Sequence, residues 1–234
     1  MSLSFEPPQE FAGARAGQFL LAASQRQGAP LLGRPISILS AEPLSIAFAR
    51  VGAGTEALAA GAVGEAVHVV GPLGRPFGPV TDGTLVVTDA SHFGTLLALV
   101  MEHRGLLPVI LIRSGPSPGS ACAAQDARLR DLFAPHAAAL DAVSIDELEP
   151  TLQRLAPPAY AAGGADPAMA VVQRVAAATG APGQVAMQAV MGCGVGACHS
   201  CVHPMRAGGY ALVCEGPVFA LDAPTFAADR AVTA

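Results

Sequence analysis

Apolar positions in the first 80 residues come in short, mostly alternating runs broken by turn residues. Residues 2–5 alternate, residues 18–22 form a run opened by Gly17, and residues 35–39 and 44–48 alternate around a Ser-Ala-Glu-Pro turn, which predicts a hairpin. Residues 66–70 follow and end in the punctuation of GPLGRPFGPV. Short strands with regular turn signals predict a small antiparallel barrel.

The period changes after residue 84. Residues 85–88 and 108–112 read as buried strands, 93–103 as a helix, and 125–139 as a second helix with Pro135 as a candidate break. Residues 142–144 predict a short strand, and 145–155 a third helix. Residues 158–162 lead through Gly163 and Gly164 into a helix with marked ends: Asp166 as N-cap, Pro167 at the first helical position and Gly180 after the last turn. Alternating strands and helices predict a parallel sheet whose ligands bind at the carboxyl ends of its strands, where that glycine pair falls. Residues 184–188 predict a strand feeding a cysteine-rich loop, Gly208 and Gly209 a hairpin turn, and residues 215–219 a closing segment.

Four of the five cysteines lie in that last part, at Cys193, Cys198, Cys201 and Cys214. The C-x4-C-x2-C-x12-C spacing is the plant-type [2Fe-2S] ligand pattern. Gly192, Gly194 and Gly196 suit a loop that turns tightly and aims N–H groups at sulfur. A structural zinc site is the weaker alternative, because only Cys198 and Cys201 form a C-x2-C pair. A segment of this size has too little core to be stabilised by burial alone, so the cluster is expected to staple it. Cys122 stands apart and reads as a spare loop thiol. His199 and His203 lie near the cluster but read as plain loop residues, since four thiolates complete the ligand set.

Composition narrows the function classes. Hydrophobic residues make up 52% of the 234 and charged residues only 13%, against about 25% in an average soluble chain. Sparse charge fits surface covered by partner subunits, and equally a biased Ala/Gly/Pro composition. No apolar run reaches the roughly 18 residues of a membrane span, so no membrane partner is expected. A net charge of −5 argues against a nucleic-acid partner. MSLSFEPPQEF lacks the basic and apolar regions of a secretory signal, and a cytoplasmic location is expected.

Two segments of the first part carry candidate chemistry. In Arg34-Pro35-Ile36-Ser37, an arginine beside a hydroxyl at a strand start suits a phosphate. Gly52, Gly54 and Thr55 precede a short helix; Thr55 reads as its N-cap, and the free N–H groups there suit an anion. Taken alone, each also fits an ordinary strand or turn.

The three parts together resemble the electron-transfer subunit of the two-subunit, NAD-linked dihydroorotate dehydrogenases, within the ferredoxin-reductase-like flavoproteins. The segments carrying the resemblance are RPISI at 34–38, GPLGRPF at 71–77, CGVGACHSC at 193–201 and CEGPVF at 214–219. The resemblance spans nearly the whole chain. It implies a multi-domain β plus α/β protein: an N-terminal antiparallel FAD-binding β-barrel at 1–80, a central parallel-sheet, nucleotide-binding-like domain at 81–183, and a small C-terminal [2Fe-2S] module at 184–234. Arg34 would hold the FAD pyrophosphate and Ser37 would lie near the isoalloxazine, with Pro35 and Ile36 between them. Phe48, Ala49 and Arg50 match the second flavin-contact strand, Gly54 and Thr55 the pair that closes on the FAD phosphates, and the four cysteines the cluster ligands. The implied partner is a catalytic FMN subunit in a hetero-oligomer, with electrons passing through the cluster and FAD to NAD in pyrimidine biosynthesis. No general acid or base is expected in this chain.

Two departures from the family pattern bear on this. Asp89 and His92 stand where the family has a Gly-Gly-Gly-type turn, and a carboxylate there repels a pyrophosphate unless it reaches a ribose hydroxyl, which argues against NAD binding. The turn from Gly163 to Pro167 does resemble the family's Cys-Gly-Pro-x-Pro-Met region, with Met169 kept. At the N-terminus the family's first barrel strand is not found, which would loosen the flavin. Two alternatives follow: a flavin and iron-sulfur relay to another redox partner with the NAD site lost, and a non-catalytic assembly subunit with a structural metal site.

Overall fold

Five antiparallel strands form the first sheet, in the order β1-β4-β3-β2-β5: β1 (Ser2–Phe5), β2 (Phe19–Ser24), β3 (Arg34–Ala41), β4 (Leu44–Ala47) and β5 (Val67–Leu73). A computed structural model describes residues 1–6, 9–114 and 121–226 of the chain. Alternation in β3 and β4 turns Ile36, Ile38, Leu44 and Ile46 inward against Leu20, Ala22, Phe11 and Leu58. β1 pairs with β4 and β5 with β2, so the expected barrel is an open half-barrel: its two edge strands do not meet. The N-terminal edge is nevertheless covered, because all four residues of β1 pair in register with Leu44–Ala47. Pro72 sits in edge strand β5, where a missing N–H is tolerated.

The second sheet has the order β13-β10-β9-β6-β7-β8, built from β6 (Leu85–Thr88), β7 (Pro108–Ile112), β8 (Ala139–Val143), β9 (Tyr160–Gly163), β10 (Gly183–Ala186) and β13 (Val218–Ala220). Every pairing is parallel except β10 with β13. Strand period two sorts the side chains by face. Val86, Val109, Leu111 and Ala161 pack under α2 (Phe93–Glu102) and α3 (Ala121–Phe133). Val87, Ile110, Ile112 and Ala162 pack under α4 (Ile145–Leu155) and α5 (Asp166–Thr179). With both faces covered, the central strands carry continuous apolar runs. Ser144 caps α4 reciprocally: its hydroxyl accepts the Glu147 N–H at 3.3 Å, and the Glu147 carboxylate accepts the Ser144 N–H at 2.8 Å.

Several expectations shift. The helix expected over 125–139 ends at Phe133, two residues before Pro135, and Ala139 begins a strand that pairs with Pro108. Cys122 falls in α3 rather than a loop; its side chain lies outside the described residues. Thr55 is the third residue of α1 (Ala53–Ala59), not its cap: its hydroxyl oxygen accepts the N–H groups of Val51 and Gly52 at 3.0 and 3.2 Å. Asp166 is the first residue of α5, with Ala165 as N-cap, and Gly180 ends the helix in the left-handed conformation. The boundary expected at 183/184 falls inside β10, and the segment expected to close a separate module supplies β13. Val185 and Phe219 pair across that edge, so the cysteine-rich loop is an excursion between two strands of the central sheet.

The two sheets meet closely. Gly17 lies against Phe77 and Val218: an added Cβ would come within 2.8 Å of the Phe77 nitrogen and of Val218 Cγ2, and its φ of +99° suits glycine alone. The Ala16 N–H donates to the Glu102 carboxylate of α2 at 2.5 Å, and the Phe77 N–H to the Ala16 carbonyl at 2.9 Å.

Candidate functional site

The four cysteines are positioned by one small ribbon, β11 (Val202–Pro204) with β12 (Tyr210–Leu212). Cys201 lies just before the first strand and Cys214 just after the residue that follows the second. The Val213 N–H donates to the Cys201 carbonyl at 3.0 Å, and the Cys214 N–H approaches the Cys201 sulfur at 3.5 Å. The loop between Gly192 and Cys201 folds back over this base. Gly196 donates its N–H to the Cys214 sulfur at 3.2 Å; Val195 and Cys198 donate theirs to the Cys193 sulfur at 3.4 and 3.3 Å. Gly194 and Gly196 have φ of +70° and +80°, and a Cβ on Gly196 would lie 2.5 Å from a Glu215 carboxylate oxygen.

The surroundings act on the thiols in opposite directions. At Cys198 the hydroxyl and N–H of Ser200, with Cys193 adding, bring the thiol down to about 6. At Cys214 burial pushes it up to about 11, and the neighbouring Cys201 adds to that. Cys201 and Cys214 are buried, Cys193 is half-buried and Cys198 is exposed. Among the described residues, no three His, Cys, Asp or Glu side chains are gathered for a single metal ion. A two-iron cluster needs two thiolates at each iron instead. Four sulfurs served by backbone N–H groups fit such a cluster.

His203 is in β11 rather than a loop; its Nε2 lies 3.0 Å from the Thr225 carbonyl and its ring is tilted against Phe226. His199 is an exposed loop residue, as expected, with φ of +56°.

Beside the cysteine loop a cavity of about 560 Å³ opens between the half-barrel and the central sheet. Arg34, Pro35, Ile36, Ser37, Phe48, Ala49 and Thr55 line it. Gly54 packs directly on the Arg34 side chain, where any Cβ would overlap the guanidinium stem. Arg50 does not line the cavity; it is exposed and paired with Glu56 at 2.6 Å. Arg34 donates one N–H to the Leu32 carbonyl at 2.9 Å, while its buried Nε has no partner. A buried cationic donor left unpaired is costly, and the Arg34 guanidinium also lines the cavity, where an anionic group would pair its charge. That orphaned donor, in a cavity with apolar walls, fits the pyrophosphate and ring of FAD.

The opposite wall is not visible in the sequence pattern. Gly94 and Thr95 at the start of α2, Met187 and Gln188 after β10, and Met191 and Pro217 from the cysteine segment contribute to it. Ser37 and Thr95 share a hydroxyl–hydroxyl hydrogen bond of 2.5 Å that ties half-barrel to central sheet. The cysteine loop also presses on the half-barrel, since a Cβ on Gly194 would lie 3.0 Å from Leu21 Cδ1.

A third feature lies at the carboxyl end of β6. Both oxygens of Asp89 are taken by the chain itself. Oδ1 accepts the Ser91 N–H at 2.8 Å, the Ser91 hydroxyl at 2.5 Å and the His92 N–H at 3.2 Å; Oδ2 accepts the Ala165 N–H at 2.8 Å. Burial alone would raise this carboxyl, but hydrogen bonding from His92 and Ser91, the His92 charge and the Ala165 N–H together hold it well below the usual carboxylate range.

Residues 188–223 match the iron-sulfur cluster binding domain of dihydroorotate dehydrogenase B. The chain is 30% identical, over 235 aligned positions, to the dihydroorotate dehydrogenase B (NAD(+)) electron transfer subunit of Desulforamulus reducens. The alignment covers 93% of this chain and 89% of that relative. Among solved structures, one chain of an NADH-dependent reduced ferredoxin-NADP oxidoreductase superposes with a TM-score of 0.71 over 96% of this chain and 84% of its own, at 17% identity, a likeness of fold.

Proposed function

This chain belongs to the family of dihydroorotate dehydrogenase B electron transfer subunits, and we propose that it carries FAD and a [2Fe-2S] cluster and passes electrons between the dihydroorotate dehydrogenase catalytic subunit and NAD in pyrimidine biosynthesis. The observation that carries this reading is the adjacency of two sites: a cavity with an orphaned arginine donor, and four cysteines on a loop packed against the same half-barrel. When bound, the flavin supplies two-electron chemistry and the cluster one-electron chemistry, so the pair converts one into the other.

The chain's own part is to hold and orient. Arg34 pairs the FAD pyrophosphate, and Gly54 and Thr55 shape the turn beside it. Pro35 and Ile36 carry the strand along the flavin, with Phe48 and Ala49 on the neighbouring strand. Ser37, held by Thr95, lies near the ring. Arg50 is given no direct contact, because Glu56 engages it. Cys193, Cys198, Cys201 and Cys214 hold the cluster. No proton transfer falls to this chain, and no catalytic residue is assigned. We divide the chain as 1–80 for the flavin, 81–183 for the nucleotide-binding-like domain and 184–234 for the cluster, with β10 and β13 anchoring the last part to the central sheet. The working unit is a hetero-oligomer with the FMN-carrying catalytic subunit, located in the cytoplasm.

The dinucleotide is different. The crevice at the end of β6 does not fit a pyrophosphate while Asp89 occupies its N–H groups, and no step is drawn through it. That observation favours, as a second reading, a relay that exchanges electrons with another redox partner. An assembly subunit without cofactors leaves the Arg34 donor unexplained.

The experiment is anaerobic. The purified chain is mixed with its catalytic subunit, and dihydroorotate is added. Bleaching of both flavin and iron-sulfur bands of this chain is expected. Bands that stay unchanged under dihydroorotate but bleach with dithionite would contradict the partnership and leave the relay reading.

A further inference from the structure

In an open parallel sheet, dinucleotides bind where the strand order reverses, with the pyrophosphate against backbone N–H groups at helix N-termini. The order β13-β10-β9-β6-β7-β8 places that reversal between β6 and β9. The donors facing it are the Ser91 and His92 N–H groups leading into α2 and the Ala165 N–H leading into α5. All three point at Asp89. The carboxylate thus bridges the reversal point from one side to the other, as a phosphate would.

The surrounding residues accommodate it. A Cβ on Gly164 would lie 3.1 Å from Asp89 Oδ2, so glycine leaves the carboxylate its room. His92 is buried and covers the backbone of Gly163, where a Cβ would meet the His92 Cβ at 3.2 Å. At the end of the adjoining strand β7, Arg113 is engaged by Glu147 at 2.5 Å. The backbone donors of the crevice are therefore engaged by the chain's own carboxylate.

We propose that Asp89 is an internal competitor for the pyrophosphate of a pyridine dinucleotide, and that NAD(H) enters this crevice only by displacing it. The inference rests on the electron-transfer reading for its choice of ligand alone; the geometry stands without it. An entering pyrophosphate must take over N–H groups already bonded to a carboxylate and lie beside that negative charge.

The test is calorimetric titration of the chain loaded with FAD and cluster. The probe is ADP-ribose, which carries the pyrophosphate and lacks the nicotinamide; bound FAD keeps the probe out of the flavin cavity. Asp89→Gly is expected to bind ADP-ribose at least about tenfold more tightly than the unaltered chain. Asp89→Asn, which removes the charge and keeps the bulk, is expected to gain several-fold. Half-saturation of the unaltered chain below about 10 μM, at the tight end of the roughly 1 μM–1 mM over which enzymes bind their substrates, would overturn the proposal whatever the variants do. So would a folded Asp89→Gly of unchanged affinity. If Asp89→Gly fails to fold, equal binding by Asp89→Asn and the unaltered chain overturns it. The flavin and cluster bands recorded before the titration report separately on the electron-transfer reading.

Discussion

Cys214→Ser is expected to remove the iron from this chain while leaving its flavin in place. Cys214 is buried beneath the loop, with the Gly196 N–H aimed at its sulfur at 3.2 Å and the Cys201 sulfur 3.5 Å from its nitrogen. Soft thiolate suits iron-sulfur clusters, whereas a serine hydroxyl is a shorter, harder ligand. Nothing else at that position replaces it: Glu215 is next in sequence, but its carboxylate packs against Gly196. Electron transfer from dihydroorotate to the FAD of this chain should fall by at least about a hundredfold, since losing the carrier removes far more than the ~1.4 kcal/mol that separates each decade of rate. The sheets should survive, because β10 and β13 pair within the central sheet independently of the ribbon. Iron analysis and stopped-flow reduction check both halves. Full iron occupancy with an unchanged rate would show that Cys214 is not a ligand.

Arg34→Ala separates binding from folding. In most proteins, removing a half-buried arginine costs stability. Here the Nε is buried without a partner, and only one N–H is satisfied, by the Leu32 carbonyl. Charge-assisted hydrogen bonds contribute about 1.5–3 kcal/mol. FAD affinity should therefore drop by roughly tenfold to a hundredfold, while the flavin-free chain melts no lower than the original. Arg34→Lys should recover only part, because an ammonium lacks the planar fork that pairs two phosphate oxygens. Fluorescence titration with FAD and thermal melting of the flavin-free forms decide it. A variant that binds FAD normally but melts well below the original would make Arg34 a structural residue.

How much was legible in the sequence depended on how local each signal was. Cysteine spacing is set along about twenty residues of continuous chain, so a candidate ligand set follows from it without any knowledge of the fold. The strands of the half-barrel and of β6 and β7 followed from period two and from continuous apolar runs. Helix ends are legible where the signal is local, as at Pro167 and Gly180 of α5. What failed was long-range. Val185 and Phe219 are far apart in sequence, and nothing in either run announces that β10 and β13 pair, so the C-terminal segment read as a separate module. The cavity wall contributed by Thr95, Met187 and Met191 has no motif; those residues look like helix and strand interior. Asp89 was conspicuous in sequence, but its second oxygen meets Ala165, a partner only the strand order brings near. Thr55 was misplaced within its helix because hydroxyls serve equally at the cap and at the third residue, where each can accept a free N–H.

The most direct test is the cofactor content of the chain purified without air: FAD, iron and acid-labile sulfide, with the visible spectrum recorded on the same sample. One FAD, two iron and two sulfide per chain are expected, from one cavity and one four-cysteine site. A colourless chain that stays colourless after reconstitution with FAD, iron and sulfide would contradict the electron-transfer reading and leave an assembly subunit in its place.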